Sequence, residues 1–219
     1  MDFEVITSYL PRYEQAFFLT IRIGWLGILL SFAIGILSAF LIHFRVPILS
    51  KIMDVYVEVF RNTPLLVQLF FIYFGLPKAG ISVSAESCGI VGLGLLGGSY
   101  MSEAIRSGLD SIPRMQTESA VALGMTKPQA FFSVIFPQAL TLSVPAVIAN
   151  VIFLLKETSV FSAISLMDLM FTAKDLIGLY YNTTEALFLL VVFYIVMLLP
   201  VSVLGSVIEK KARFRMLGD

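Results

Sequence analysis

The sequence predicts an all-α membrane protein, a bundle of five spanning helices with its N-terminus outside and its C-terminus in the cytoplasm. Of the 219 residues, 58% are hydrophobic and only 14% are charged, whereas a soluble domain is roughly 45–50% apolar and about 25% charged. A spanning helix needs about 20 apolar residues. Five charge-free windows approach or exceed that length: residues 23–44, 62–77, 87–102, 128–155 and 186–208. Residues 1–219 are therefore treated as a single transmembrane domain.

Each window is assigned to one span in chain order. Residues 1–16 are not a signal peptide, because they lack a basic start and contain Asp2, Glu4 and Glu14. The second and third windows are short, so their helices must continue past the flanking charges. In the third window Gly94 and Gly98 form a small-xxx-small pair, which is typical of a close helix contact.

The composition excludes several classes of function. Fifteen basic and fifteen acidic residues give no net charge, which removes the electrostatic case for nucleic-acid binding. One cysteine, Cys88, and one histidine, His43, exclude a disulfide and a Cys/His metal cluster. No G-x-x-x-x-G-K-[ST] segment occurs, so the chain has no Walker site for ATP. We therefore expect no catalytic residue, metal or cofactor in this chain.

The orientation follows from the basic residues, which are enriched in cytoplasmic loops. With five spans and the C-terminus inside, ten of the fifteen Lys and Arg residues fall on the cytoplasmic side. The basic tail at residues 209–215 carries most of this asymmetry, because the remaining residues split six to five.

The longest internal polar stretch, residues 103–129, then lies in the cytoplasm between spans three and four. Thr117 is expected to cap a short helix that begins at Glu118, and Gly124 is expected to end that helix. Residues 126–129, Thr-Lys-Pro-Gln, form a capping box that starts a second helix leading into span four. A helix of about seven residues is not stable alone in water. It packs either on its own bundle or in a groove of a cytoplasmic partner.

Three segments resemble permease subunits of ABC importers. Glu118-Ser119-Ala120-x-x-x-Gly124, nine residues and then Val134-x-Phe136-Pro137 are similar to the family pattern E-A-A-x-x-x-G, nine residues, I-x-L-P. The departures at Ser119, Val134 and Phe136 are mild in size. Residues 58–68 (EVFRNTPLLVQ) and 155–159 (LKETS) resemble segments of the polar amino-acid branch, which includes histidine, glutamine and arginine permeases.

The resemblance implies a function and a set of partners. The chain would form the pathway for a polar amino acid in the inner membrane of a prokaryote, together with a second permease copy or homologue. An extracytoplasmic binding protein would deliver the substrate, and a P-loop ATPase dimer would hold ATP and Mg. The helix at 118–124 would be the coupling helix, with a kink in span four at Pro137. The residues expected to contact the ATPase are Thr117, Glu118, Ser119, Ala120, Gly124, Met125 and Thr126.

Polar residues inside the spans are candidates for the substrate path, because intramembrane charges usually face the bundle interior. Asp54, Glu58, Arg61 and Gln68 share one predicted helical face, and Ser99, Glu103, Arg106 and Asp110 form a second stripe. Glu58 and Arg61 are spaced to pair within the helix. The full candidate set is Glu58, Arg61, Gln68, Ser99, Tyr100, Glu103, Asn150, Lys156 and Glu157. Each candidate also has a structural alternative. The charged residues would lie at the membrane interface, Ser99 would be a packing residue, and Lys156 and Glu157 would form an ion pair at a helix end.

A second functional hypothesis is a secondary transporter or channel driven by an ion gradient. Glu58 and Glu103 would then carry protons or sodium ions. The sequence shows no inverted repeat and no pair of broken helices, which such transporters commonly have. The importer is therefore the favoured interpretation.

Overall fold

The structure is a computed structural model that describes residues 1–217, without the side chains of residues 213 and 215–217. The side chains of Arg213 and Arg215, two members of the basic tail, thus lie outside the described part. Short π and 3-10 turns interrupt the helices at three places: Phe71–Gly75 with Leu76–Ala79, Phe131–Ile135, and Thr158–Ile164. The α-helices are α1 (Phe3–His43), α2 (Leu49–Arg61), α3 (Leu65–Phe70), α4 (Ala85–Asp110), α5 (Arg114–Ala122), α6 (Lys127–Ala130), α7 (Phe136–Glu157), α8 (Leu169–Tyr180) and α9 (Thr183–Leu217).

Four helical segments of the described chain are long and apolar enough to cross a membrane: Phe3–His43, Ala85–Asp110, Lys127–Ile164 and Thr183–Ala212. A fifth span is obtained if Leu49–Arg61 and Leu65–Ala79, which meet at 106°, are counted as one broken span. The count of four to five agrees with the predicted windows. The second span differs from its window, since its helix begins at Leu49 and breaks before Leu65. Pro64 explains the break, because proline lacks the N–H that would continue the ladder and disfavours helical backbone at Thr63.

Glycines bring α1 and α4 into close contact along the centre of the bundle. A Cβ at Gly94 would lie 2.5 Å from Cδ2 of Leu30, and one at Gly98 would lie 2.7 Å from Cγ2 of Ile34. On the facing helix, a Cβ at Gly35 would lie 2.5 Å from Cβ of Met101. The predicted packing role of the Gly94/Gly98 pair is confirmed. Around this contact, α3, α7 and the Thr158–Ile164 turn complete the main buried core.

A smaller core lies at the N-terminal end of α1, where α8 and the start of α9 pack against it. The Tyr13 hydroxyl donates to the Ala186 carbonyl at 2.6 Å, and Arg12 pairs with Asp175 at 3.5 Å. These contacts fix one end of the bundle, opposite the end that carries α5.

The connection between the third and fourth segments contains both confirmed and wrong predictions. Helix α4 runs through Glu103 to Asp110, so that stripe is helical as expected. Helix α5 begins at Arg114 after Pro113, with no side-chain cap. The prediction that Thr117 caps a helix beginning at Glu118 is therefore wrong, because the helix begins four residues earlier, directly after Pro113, whose ring fixes its φ angle at −60°.

The end of α5 and the start of α6 agree with the predictions from the sequence. Gly124 has a φ of 92° and ends the helix in the left-handed conformation that glycine adopts without strain. The Met125 N–H donates to the Ala120 carbonyl at 3.1 Å across this turn. The Thr126 capping box is present, with the Thr126 N–H donating to Gln129 Oε1 at 2.9 Å and the Gln129 N–H donating to Thr126 Oγ1 at 3.4 Å.

Candidate functional site

The break between α2 and α3 is stabilised by a buried amide. The Gln68 side chain is 7% exposed, and its Nε2 donates to the carbonyls of Phe60 at 3.1 Å and Thr63 at 2.9 Å. Carbonyls at a helix end need such a partner, because the helix no longer supplies one. The predicted common face of Asp54, Glu58, Arg61 and Gln68 is therefore wrong for Gln68, since the chain turns by 106° before reaching it.

Ion pairs connect the end of α2 to α4. Arg61 lies 3.4 Å from Glu103, and Arg106 lies 3.6 Å from Asp54 and 3.9 Å from Glu103. The Arg61 guanidinium also sits over the Tyr100 ring, 5.6 Å from its centroid, which is a cation–π distance. The predicted pairing of Arg61 with Glu58 is wrong, because Arg61 ends α2 and its side chain crosses to α4. Glu58 instead accepts from the Asn62 amide at 3.1 Å.

A cavity of about 340 Å³ opens at this break. Arg61 and Asn62 line it from the break, Tyr100 from α4, and Phe153 and Glu157 from α7. The rings of Tyr100 and Phe153 are 5.2 Å apart and form an aromatic wall. Glu157 makes no ion pair with any described residue, so the cavity has a carboxylate available for a ligand. The structure thus brings together Arg61, Tyr100 and Glu157 of the predicted set and adds Phe153, which looks like any apolar residue of a span in the sequence.

The other candidates lie outside that lining. Ser99 is buried, and its hydroxyl donates to the Leu96 carbonyl at 2.6 Å within α4. The Asn150 amide donates to the Tyr100 carbonyl at 3.1 Å and links α7 to α4. Lys156 lines a separate groove between α7 and α9. It does not share a cavity with Glu157, because successive helical residues point about 100° apart.

The second region of interest is α5. One side of this helix, with Thr117, Glu118 and Val121, lines a cavity of about 820 Å³ beside His43, Asp110 and Lys127. Ala120 is 4% exposed, so the helix packs on its own bundle through that residue. The opposite side presents Met115, Ser119 and Leu123 at a spacing of four, and Leu123 is 84% exposed.

The other residues that the sequence assigned to the ATPase contact are more exposed than Ala120. Glu118, Ser119, Gly124 and Thr126 are exposed and Met125 is half-buried. The predicted set omitted Met115 and Leu123, although their spacing from Ser119 was visible in the sequence. Pro137 lies in the first turn of α7, directly after the π turn at Phe131–Ile135. A π turn is a common site of irregular helix geometry, so the kink at Pro137 stays a prediction.

Comparison with known proteins gives consistent matches. The family described as "Binding-protein-dependent transport system inner membrane component" matches residues 31–214. A probable glutamine ABC transporter permease protein, GlnP of Bacillus subtilis (strain 168), is 36% identical over 171 residues, covering 78% of each chain. The arginine transport system permease protein ArtQ of the same organism is 32% identical over 215 residues, covering 97% of this chain and 98% of that one.

Solved structures share the fold. The crystal structure of an amino acid ABC transporter with histidines matches with a TM-score of 0.90 and 31% identity, covering 96% of this chain and 99% of that one. An inward-facing structure of the MetNI methionine ABC transporter matches with a TM-score of 0.78 at 21% identity, covering 93% and 97%. At that identity the second match concerns the fold alone.

Proposed function

Since the chain belongs to the family of binding-protein-dependent transport system inner membrane components, we propose that it forms the translocation pathway of an ABC importer for a polar amino acid. The chain is a multi-pass protein of the inner membrane, and in this family it is the non-catalytic membrane component. Relatives that transport glutamine and arginine by name support the substrate class. The binding protein delivers the substrate, and a separate ATPase dimer holds ATP and Mg.

The proposed orientation puts the N-terminus outside and α5 in the cytoplasm. The basic tail supports it, since Lys and Arg are enriched on the cytoplasmic side. In this orientation α5 is the coupling helix. ATP binding closes the ATPase dimer, which moves the loop at 117–129 and rocks the spans against the second permease.

The exposed row of Met115, Ser119 and Leu123 is the observation that supports docking of α5 on the ATPase. A side chain as exposed as Leu123 adds nothing to the fold of its own chain, yet it can bury its full apolar area against a partner. Ala120 is a poor probe of docking, because its substitution also disturbs the packing of α5 on the bundle. Glu118 faces the cavity beside Lys127 and affects the partner through the position of α5.

The docking proposal is tested with Leu123→Ser. Burying a leucine side chain contributes about 1.5–3 kcal/mol, so the dissociation constant for the ATPase should rise roughly 10- to 150-fold. Leu179→Ser is the matched control, since Leu179 is 57% exposed on α8, at the other end of the bundle. Its binding constant should not change. An unchanged constant for Leu123→Ser would place the docking surface elsewhere.

The cavity at the α2–α3 break is the proposed substrate path. An amino acid carries an ammonium group and a carboxylate. Glu157 is the carboxylate available for the ammonium, and Oδ1 of Asn62, whose Nδ2 already donates to the Glu58 carbonyl and carboxylate, is a second acceptor for it. Arg61 lines the cavity, and its charge is already neutralised by Glu103 behind it, so Arg61 shapes the cavity wall. Glu58 lies behind Asn62 and orients its amide.

Substrate recognition is tested with Glu157→Gln. Hydrogen bonds to charged groups contribute about 1.5–3 kcal/mol, so the KM for uptake should rise roughly 10- to 150-fold. Glu14→Gln, an exposed position of α1, is the control. Equal KM values for the two variants would remove Glu157 from the path.

A further inference from the structure

We propose that the ion pairs between α2 and α4 form an inner gate, which closes the cavity at the α2–α3 break towards the end of the bundle that carries α5. The inference rests on the proposed function, because a gate has a role only if that cavity is the substrate path. Arg61 lines the cavity at the break. Asp54 and Arg106 line a second cavity of about 760 Å³ at the start of α2. This second cavity lies at the α5 end of the bundle, since it shares His43 and Asp110 with the cavity beside α5.

The charged side chains between the two cavities form one continuous row. The Glu103 carboxylate lies 3.4 Å from Arg61 and 3.9 Å from Arg106. Arg106 in turn reaches across to Asp54 on α2 at 3.6 Å. One end of the row thus lines the cavity at the break, and the other end lines the second cavity. A ligand that moves between the cavities along α2 and α4 passes this row.

The row is weak enough to open during transport. Its four side chains are between 31% and 52% exposed, and the N–O distances exceed the roughly 2.7–2.9 Å of a charge-assisted hydrogen bond. Ion pairs with this exposure stabilise a contact only slightly, so a modest movement of α4 separates them. Charged side chains in spanning helices usually face the bundle interior or a water-filled cavity, which agrees with a row along a substrate path.

Asp54 has a second cation within reach. Lys51 lies three residues earlier on α2, the spacing at which side chains of a helix meet. It lines the same cavity as Asp54 and makes no ion pair with any described residue. When the gate opens, Asp54 exchanges Arg106 for Lys51. Arg106 keeps Glu103, which lies three residues earlier on its own helix, so each of these charges has a partner in both states.

The gate is connected to α5 by a short stretch of chain. Helix α4 ends at Asp110, about one turn after Arg106, and α5 begins at Arg114. The Tyr56 hydroxyl donates to the Leu95 carbonyl at 2.6 Å and holds the middle of α2 against α4. A displacement of α5 therefore acts on the end of α4 that carries Arg106, while the Tyr56 contact keeps α2 in place.

The experiment measures access to the cavity at the break from the α5 side. Leu66 lines this cavity and is 38% exposed, so Leu66→Cys adds an accessible thiol to a chain whose own Cys88 is buried. The full chain is reconstituted in oriented vesicles with the subunits that co-purify with it, and a membrane-impermeant cationic thiosulfonate is applied to the α5 side alone. Asp54→Asn should raise the labelling rate about fivefold. Asp175→Asn, which breaks an ion pair of similar length and exposure with Arg12 at the other end of the bundle, should leave the rate unchanged.

Two further variants distinguish a gate from a merely structural ion pair. Asp54→Glu keeps the charge and should label at the rate of the Leu66→Cys parent. Lys51→Met should lower the rate about twofold during ATP turnover, because the open state loses a partner for Asp54. Equal rates for Asp54→Asn and Asp175→Asn, a raised rate for Asp54→Glu, or a rate for Lys51→Met no lower than that of the parent would overturn the gate.

The labelling rates do not depend on transport. If no protein, the parent included, takes up an amino acid with ATP, the proposed function is wrong. The labelling rates would still support or overturn a gate between the two cavities, so the two failures are distinguishable.

Discussion

Replacing Gln68 with leucine should destabilise the break between α2 and α3. The Gln68 Nε2 group is the donor for the carbonyls of Phe60 and Thr63, at 3.1 and 2.9 Å. A buried polar group left without a partner costs about 1–3 kcal/mol, so two carbonyls cost roughly 3 kcal/mol. The substitution also removes Gln68 Oε1, which is buried without a hydrogen bond. Its removal raises the free energy of unfolding by about 1 kcal/mol. The net loss is about 2 kcal/mol, or a fall of about 4–8 °C in the thermal midpoint.

The assay uses the single cysteine of the chain. Cys88 is fully buried in α4 and becomes accessible to a thiol-reactive dye on unfolding. Gln138→Leu is the control, because its amide donates at 2.8 Å to Val134, four residues earlier, where the helix ladder already supplies a donor. Its midpoint should change by less than about 2 °C. A midpoint for Gln68→Leu equal to that of the control would refute the role of Gln68 in holding the break. Uptake should fall with the same variant, since the cavity opens at this break.

Two further predictions concern packing and pH. Gly35→Val should destabilise the bundle by about 3 kcal/mol, because a Cβ at Gly35 would lie 2.5 Å from Cβ of Met101 and 3.0 Å from the backbone nitrogen of Ser102. Gly178→Val, where nothing lies within 4 Å, should shift the midpoint far less in the same dye assay, and equal shifts would argue against a tight α1–α4 contact. Burial raises the pKa of Asp168, which lies before α8, to about 7. The folded state then holds the Asp168 proton more tightly than the unfolded chain, so stability should fall as the pH rises from about 4 to 7. Asp168→Asn keeps an acceptor for the Phe171 N–H, which donates to Asp168 at 2.9 Å, and should flatten this dependence between about pH 4 and 7. A midpoint with the same slope in both proteins would exclude Asp168 as its cause.

Local signals in the sequence predicted much of the fold because they act within a few residues. The long apolar windows, the left-handed Gly124 and the Thr126 capping box depend on neighbouring residues alone. The close helix contact at Gly94 and Gly98 was also predicted correctly, because small residues spaced four apart in a span typically mark helix packing. These features depend little on where distant parts of the chain lie.

The failures came from contacts between distant segments. Arg61 pairs with Glu103 because α2 lies against α4, which helical spacing within α2 does not reveal. Gln68 left its predicted face because Pro64 breaks the helix between them. Glu157 and Lys156 looked like a pair in sequence, yet they line different cavities. The spacing of Leu123 from Ser119 is visible in the sequence, but only its exposure in the structure distinguishes Leu123 from the buried Ala120.

The most direct test of the account is uptake by proteoliposomes that contain the chain and the ATPase that co-purifies with it. Radiolabelled glutamine and arginine would be supplied with the binding protein, either with ATP or with an ion gradient alone. The account predicts uptake that requires ATP, is lost in Leu123→Ser and persists in Leu179→Ser. Uptake driven by the gradient without ATP, and unchanged by Leu123→Ser, would contradict it and support an ion-coupled transporter.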